Sequence, residues 1–503
     1  MRDQDRAALG AFLDSPIDRP LLGLVYGRRR IGKSTMLVEQ AERRGGFYFE
    51  AIRAETPVQL ERLGAALGEH LGVGRLALAN WEEAVDALLR LGEQSVVPVI
   101  LDEFGHIIAA DPSVESILTV ALGPGALRKS TSRARLILCG SAIAMMRALT
   151  DGEAPLRGRA GLELVMQPDD FRVAATRLPI GAGLETAARV FAVIGGVVGY
   201  ATDMVNFDLP TSKADFDRWV VARVLSPAAT LQREATTLLA EDPSLSGKSN
   251  LLHHAILGAI ASGAVTAGTI ANKVGRQVSN IDLVLRRLIE AGFIVRHEDP
   301  IRKKRPLYAL ADSFLQFHYA VIEPFGATLR ERDLHAVWSE RLEAVFNSRV
   351  RGPVFEEMAR MWTANFASDV TVPIRDHVGP SFVSIAGVDH ELDVLVAGPS
   401  DAPSDREIVA LGEAKSGEEL TTRHVVALER ARTALGANAS HAKLLLFGER
   451  IHEKLAQLAG ERDDVELVDL ERLYRGTRLG CLASKDRRDR STTSRWRLEH
   501  RGA

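Results

Sequence analysis

The sequence runs to 503 residues, more than one hydrophobic core serves, so roughly two to four domains are expected. With 46% hydrophobic and 26% charged residues it has the balance of a globular protein, which excludes a disordered chain. The net charge of −3 excludes a general polycation, so any nucleic-acid surface must be a local patch. The two cysteines, Cys139 and Cys481, lie far apart. That argues against a disulfide framework or a cysteine zinc site and fits a reducing cytoplasm. Residues 1–5 lack the apolar core of a signal peptide. The apolar stretches 190–201 and 255–271 are short or rich in Gly, Ala, Ser and Thr, unlike a membrane span.

Residues 1–20 read as a short amphipathic helix and a proline-bounded turn. The apolar run 21–26 follows as a buried strand. Next comes Gly27-Arg28-Arg29-Arg30-Ile31-Gly32-Lys33-Ser34-Thr35, which fits the phosphate-loop pattern G-x-x-x-x-G-K-[ST], and then a helix. A glycine-rich turn between strand and helix points successive N–H groups into one concavity. Gly27 and Gly32 let the backbone approach phosphate where a Cβ would collide. Lys33 would reach the β- and γ-phosphates, and the Ser34 hydroxyl would ligate Mg²⁺. The three arginines either hold phosphate or form a solvated turn.

Phe47-Tyr48-Phe49-Glu50 reads as a second strand, and apolar positions at helical spacing fill 57–92. The run 96–101 is wholly apolar and ends in Asp102-Glu103. Such a strand belongs inside a parallel sheet, and acids at its carboxyl end stand where these sheets bind ligands. Asp102 would hold Mg²⁺, and Glu103 would orient the attacking water. The strand 134–139 ends in Gly140-Ser141. Ser141 either senses the γ-phosphate or caps the next helix. Alternating strands and helices imply a parallel sheet covered on both faces.

The run Val25-Tyr26-Gly27-Arg28-Arg29-Arg30-Ile31-Gly32-Lys33-Ser34 resembles the archaeal-type ATPase family, a branch of the AAA-like P-loop ATPases. Leu101-Asp102-Glu103-Phe104, Cys139-Gly140-Ser141 and Pro155-Leu156-Arg157-Gly158-Arg159 fit its order and spacing. So does Ile194-Gly195-Gly196-Val197-Val198-Gly199-Tyr200, with Val198 where the family often has proline. The resemblance covers most of 20–325. It implies ATP, Mg²⁺, and hydrolysis or a nucleotide switch. Arg157 or Arg159 would contact phosphate in this subunit or in a neighbouring copy of a homo-oligomer; the alternative is a salt-bridged loop.

Residues 171–248 read as a helical lid subdomain, with Gly195-Gly196 interrupting an apolar helix pair and a polar break near 244–250. From 249 to 325 three helices precede two strands, and the loop between the strands carries Arg302-Lys303-Lys304-Arg305. That order describes a winged helix, whose third helix enters a major groove while the wing touches the backbone. Arg276, Gln277, Ser279 and Asn280 are the candidate contacts at the start of the third helix, and the four basic wing residues suit phosphates. The partner would be double-stranded DNA. The alternative is a winged helix used only for packing.

In the last domain, 340–474, Glu356 lies on a helix, Asp393 on an apolar strand, and Glu413 and Lys415 on another. A side-chain period of two puts Glu413 and Lys415 on one face. Asp393 and Glu413 would bind Mg²⁺, or Mn²⁺ in its place, and Lys415 would position a water or stabilise charge at phosphorus. Glu356 would supply a third acid. This pattern is similar to the PD-(D/E)xK nuclease superfamily over about 345–470, with Leu392 in place of the proline before the acid. In the archaeal-type ATPase family such a domain often follows the winged helix. The alternative is a scaffold whose acids are surface charges. The segment 475–503 reads as a basic tail.

The expected fold is thus α/β: a P-loop NTPase parallel sheet (1–170) with a helical subdomain, then a winged helix, then a restriction-endonuclease-like α/β domain. The expected function is ATP binding and hydrolysis coupled to DNA engagement, with no membrane association and a cytoplasmic location. Cleavage of DNA by the last domain competes with a non-cutting regulatory switch in transcription or defence.

Overall fold

The computed structural model describes residues 2–128, 131–245, 250–331 and 333–476. The polar break at 246–249, Cys481 and the basic tail beyond 476 lie outside the described residues. The chain divides into two compact units. The first comprises 1–180, 193–295 and 308–338; the second comprises 181–192, 296–307 and the described residues from 339 onward.

The first unit is built on five parallel strands: β1 (Leu21–Tyr26), β2 (Phe47–Glu50), β3 (Val97–Asp102), β4 (Ala134–Gly140) and β5 (Ala160–Val165), in the order β2-β3-β4-β1-β5. Central β3 and β4 are buried along their whole length, as continuous apolar runs in a covered parallel sheet must be. The edge strand β5 alternates half-buried and exposed residues around Gly161, with only Leu164 buried, and sequence reading passed over it. Pairing of Tyr26 with Gly140 and of Leu101 with Leu138 sets the carboxyl ends of β1, β3 and β4 level. The phosphate-loop sequence leaves β1 and enters helix α1 (Lys33–Arg43) at that edge. Trp81, Leu63, Leu88 and Phe104 fill the core against the sheet.

Helices Phe171–Ala175, Leu184–Ile194, Lys213–Val220 and Leu231–Glu241 follow the sheet. Gly195 takes φ +59° just after the second of these. A Cβ on Gly196 would lie 1.7 Å from the Asp169 carbonyl oxygen, so the two backbones can pass only because position 196 has no side chain. Next come helices α2 (Asn250–Ala261), α3 (Ala267–Lys273) and α4 (Val278–Glu290), then strands β6 (Ile294–His297) and β7 (Leu307–Leu310), which form a two-stranded sheet. α3 starts two residues earlier than its apolar pattern suggests, because Thr266 and Thr269 cap it reciprocally. Gly292, at φ +76°, follows the end of α4.

The second unit carries helix α5 (Gly352–Asn365), strands β8 (His377–Ile385), β9 (Val388–Ala397) and β10 (Ile408–Leu420), helix α6 (Thr422–Leu435), and strands β11 (Lys443–Ile451) and β12 (Val465–Val468). The sheet order is β12-β11-β10-β9-β8; β10, β11 and β12 run parallel, while β8 to β10 are antiparallel. β10 runs on five residues past Lys415, with its register interrupted between Lys415 and Glu419. Among the described residues no helix is long and apolar enough to cross a membrane.

Replacing Gly196 with alanine should force the Asp169 backbone to move. The expected cost is about 1–3 kcal/mol, the range for overpacking, read as a lower thermal midpoint by calorimetry; an unchanged midpoint would contradict the close approach.

Candidate functional site

The phosphate loop is held in shape from several sides. Gly27 lies at φ +154° and Gly32 at φ +91°, and a Cβ on Gly27 would sit 2.3 Å from the Met166 carbonyl oxygen. Buried Lys33 donates through Nζ to the carbonyl oxygens of Gly27 and Arg28, each at 2.9 Å. Burial lowers its pKa, opposed by Cys139, Glu103 and Asp102 nearby. Ile31 is fully buried, whereas Ser34 and Thr35 are exposed at the start of α1.

Each of the three arginines is ion-paired with a carboxylate distant in the chain. Arg28 Nη1 lies 2.5 Å from Asp312 Oδ2, with the Asp312 side chain only 2% exposed, and the guanidinium sits 5.8 Å from the Phe293 ring centre. Arg29 pairs with Glu241. Arg30 Nε lies 3.0 Å from Glu234 Oε1, with Asp203 at 3.7 Å. Carboxylates of the helical segment and of Asp312 therefore take up these cations. The Arg30 carbonyl oxygen also accepts the Gly199 N–H at 2.9 Å, and a Cβ on Gly199 would meet the Arg30 Cβ at 2.6 Å. A small cleft beside the loop is lined by Arg28, Arg29, Ser141, Glu241 and Phe293.

Asp102 is 1% exposed at the end of β3. Its Oδ1 accepts the Glu103 N–H and its Oδ2 accepts the Tyr48 hydroxyl, both at 2.8 Å. Burial raises its pKa, but hydrogen bonds from Cys139, Ser34, Tyr48 and the Glu103 amide outweigh that and hold it below the usual range. Glu103 adopts φ +48°, and Ser141 Oγ donates to Glu103 Oε2 at 3.1 Å. Lys33, Ser34, Asp102, Glu103 and Ser141 thus converge at the carboxyl edge of the sheet. Arg157 donates to the Gly152 carbonyl and Arg159 to that of Leu122; among the described residues neither is ion-paired. Tyr48 was missed by sequence reading. Its only signal was a polar group interrupting the apolar strand Phe47–Glu50.

Arg276, Gln277, Ser279 and Asn280 are all exposed at the start of α4. In the second unit Lys303, Lys304 and Arg305 are exposed, Arg302 is half-buried, and Lys304 sits at φ +64°. The segment they belong to is anchored within that unit: Arg406 donates to the Pro300 carbonyl at 2.7 Å, and Ser381 to Asp299 Oδ1 at 3.0 Å.

The E-x-K residues of β10 meet as their spacing requires. Lys415 Nζ lies 2.5 Å from Glu413 Oε1 and 3.7 Å from Asp393 Oδ2 on β9. Asp393 Oδ2 also accepts the Ala414 N–H at 2.8 Å. Burial and then the Glu413 charge push the Asp393 pKa up to about 6. Burial and then Asp393 push Glu356, on α5, up to about 8. Glu391, two residues before Asp393 and so on the same face of β9, is raised by burial and by Asp393. Sequence reading missed Glu391, although the same period of two that joins Glu413 to Lys415 points to it. Among the described residues no group of three or more His, Cys, Asp or Glu is drawn together to hold a metal ion.

No protein-family model matches the chain. An uncharacterized protein of Methanocaldococcus jannaschii is 24% identical over 484 residues, 93% of this chain and 98% of that one. A Walker-type ATPase of Pyrococcus abyssi is similar in structure, with a TM-score of 0.45 and 18% identity, over 64% of this chain and 96% of its own. The ORC2 protein of Aeropyrum pernix follows at a TM-score of 0.38 and 16% identity, over 65% and 92%.

A carboxyl group whose folded pKa lies above its unfolded value favours folding below the unfolded pKa and loses that contribution as pH rises through the folded one. Glu356 and Asp393 should therefore make β9 and β10 open more readily as pH rises from about 5 to about 8.5. Amide hydrogen exchange should show that loss of protection. Flat protection across the range would refute the crowding of these acids.

Proposed function

We propose that this chain binds and hydrolyses ATP, that it engages double-stranded DNA through a winged helix formed by α2, α3, α4 and the β6–β7 pair, and that its second unit is a PD-(D/E)xK-like nuclease domain. The observation that carries the nucleotide reading is the convergence of Lys33, Ser34, Asp102, Glu103 and Ser141 at one end of a parallel sheet.

In this reading the loop amides and Lys33 bind the phosphates, and Lys33 exchanges its two carbonyl acceptors for phosphate oxygens. Ser34 and Asp102, a hydroxyl and an ionised carboxylate at the same end of the sheet, fit Mg²⁺. The ion would supply charge neutralisation at the β- and γ-phosphates. Glu103 orients the attacking water, and Ser141 holds the Glu103 carboxylate. The exposed polar start of α4 suits a major groove, and the basic loop at 302–305 suits phosphates. At the second site burial and neighbouring charge raise the proton affinities of Asp393, which faces Glu413, and of Glu356, which fits a divalent cation. Such an ion would polarise a phosphodiester, and Lys415 would stabilise charge there. This reading places the protein in the cytoplasm and leaves a second copy of the chain as a partner through Arg157 or Arg159.

One observation favours a second reading, a non-cutting switch in transcription or defence: Lys415 already neutralises Glu413 and reaches Asp393.

Lys33→Ala should reduce ATP turnover by about a hundredfold or more, as loss of a phosphate-stabilising group does; unchanged turnover in a steady-state assay would remove the nucleotide assignment. Plasmid incubated with the protein and Mn²⁺ should be nicked, and Asp393→Ala or Glu413→Ala should abolish nicking. Plasmid left intact by the unaltered protein would favour the switch.

A further inference from the structure

Tyr48 lies outside both nucleotide motifs, on β2, paired in register with Ile100 of β3. The neighbouring phenylalanines, Phe47 and Phe49, are buried, while Tyr48 is half-buried. Its hydroxyl donates to Asp102 Oδ2 at 2.8 Å. Asp102 is one of the two groups assigned above to Mg²⁺.

The other Asp102 oxygen is occupied by the Glu103 N–H. Each carboxylate oxygen thus has one fixed donor, which leaves the group a single orientation. A hydrogen bond to an ionised acceptor is among the stronger ones a side chain makes. A tyrosine needed only for packing at a sheet edge would have no use for its hydroxyl. Burial and Asp102 both raise the Tyr48 pKa, so the group remains a donor.

We propose that Tyr48 is a positioning residue for the metal that accompanies the nucleotide: it orients the Asp102 carboxylate toward the divalent cation. The proposal rests on the nucleotide reading above. It assigns Tyr48 no contact with phosphate and no part in moving a proton.

The test is Tyr48→Phe, which keeps the ring and removes the hydroxyl. Affinity for a non-hydrolysable ATP analogue is measured by calorimetry with millimolar Mg²⁺ and again with EDTA. The unaltered protein should bind more tightly with Mg²⁺. The variant should keep its EDTA affinity within about twofold and lose about tenfold with Mg²⁺, the scale of one hydrogen bond to a charged group. In turnover assays the Mg²⁺ concentration for half-maximal rate should rise similarly, with kcat recovering at saturating Mg²⁺. Full retention of the Mg²⁺ gain would overturn the proposal. So would equal losses with and without Mg²⁺, which would mark a structural role. In a double-mutant cycle the losses from Tyr48→Phe and Asp102→Asn should fall short of additive; strict additivity would overturn the positioning of Asp102 by Tyr48. If the unaltered protein binds no nucleotide in either buffer, the nucleotide reading itself fails, and Tyr48 falls with it.

Discussion

The arrangement of the first unit depends on one buried ion pair, Arg28 with Asp312. Removing two charges from water costs several kcal/mol per ion, so such a pair persists only with further support. Here the contact is 2.5 Å, the guanidinium lies near the Phe293 ring, and Asp312 Oδ1 also accepts the Phe314 N–H at the start of the helix Ser313–Phe317. One carboxylate thus serves both as the counter-ion of the loop and as a helix cap. Arg30 also pairs with the buried Glu234, and Arg29 with the exposed Glu241. The loop is consequently shaped by protein carboxylates. Breaking such a pair on one side strands the other charge, which is why either half matters more than the pair does against a neutral substitute.

The two acidic centres show how environment sets the character of the same side chain. Asp102 is almost wholly buried, yet its pKa stays below the usual range, and the Tyr48 hydroxyl and the Glu103 amide both donate to it. Asp393 is nearly as buried and becomes a weaker acid, because burial and then the Glu413 charge raise its pKa. Lys415 offsets only part of that repulsion. Burial is common to both; the difference lies in how many donors or like charges face the carboxylate.

Much of this was legible in the sequence. β1, β3 and β4 announced themselves as continuous apolar runs, and the G-x-x-x-x-G-K-S spacing located the loop before any contact was known. The E-x-K spacing on β10 put Glu413 and Lys415 within an ion pair. Other parts were hidden for physical reasons. β5, β8, β11 and β12 were not picked out; β5 and β8 mix buried with exposed or half-buried residues, so neither is a clean apolar run. The partners of Arg28, Arg29 and Arg30 lie more than 170 residues away, where no local pattern reaches. Tyr48 meets Asp102 only through the register of β2 on β3, a long-range fact.

Gly199 and Arg30 touch through their main chains, and the space at position 199 has no room for a side chain. Arg30 holds a left-handed conformation at φ +64° opposite it. Sequence drift is thereby constrained at two places far apart in the chain. A larger residue at 199 becomes tolerable only after the backbone at 30 has changed, and the reverse order is closed, so the two positions form an epistatic pair along any mutational route out of this architecture.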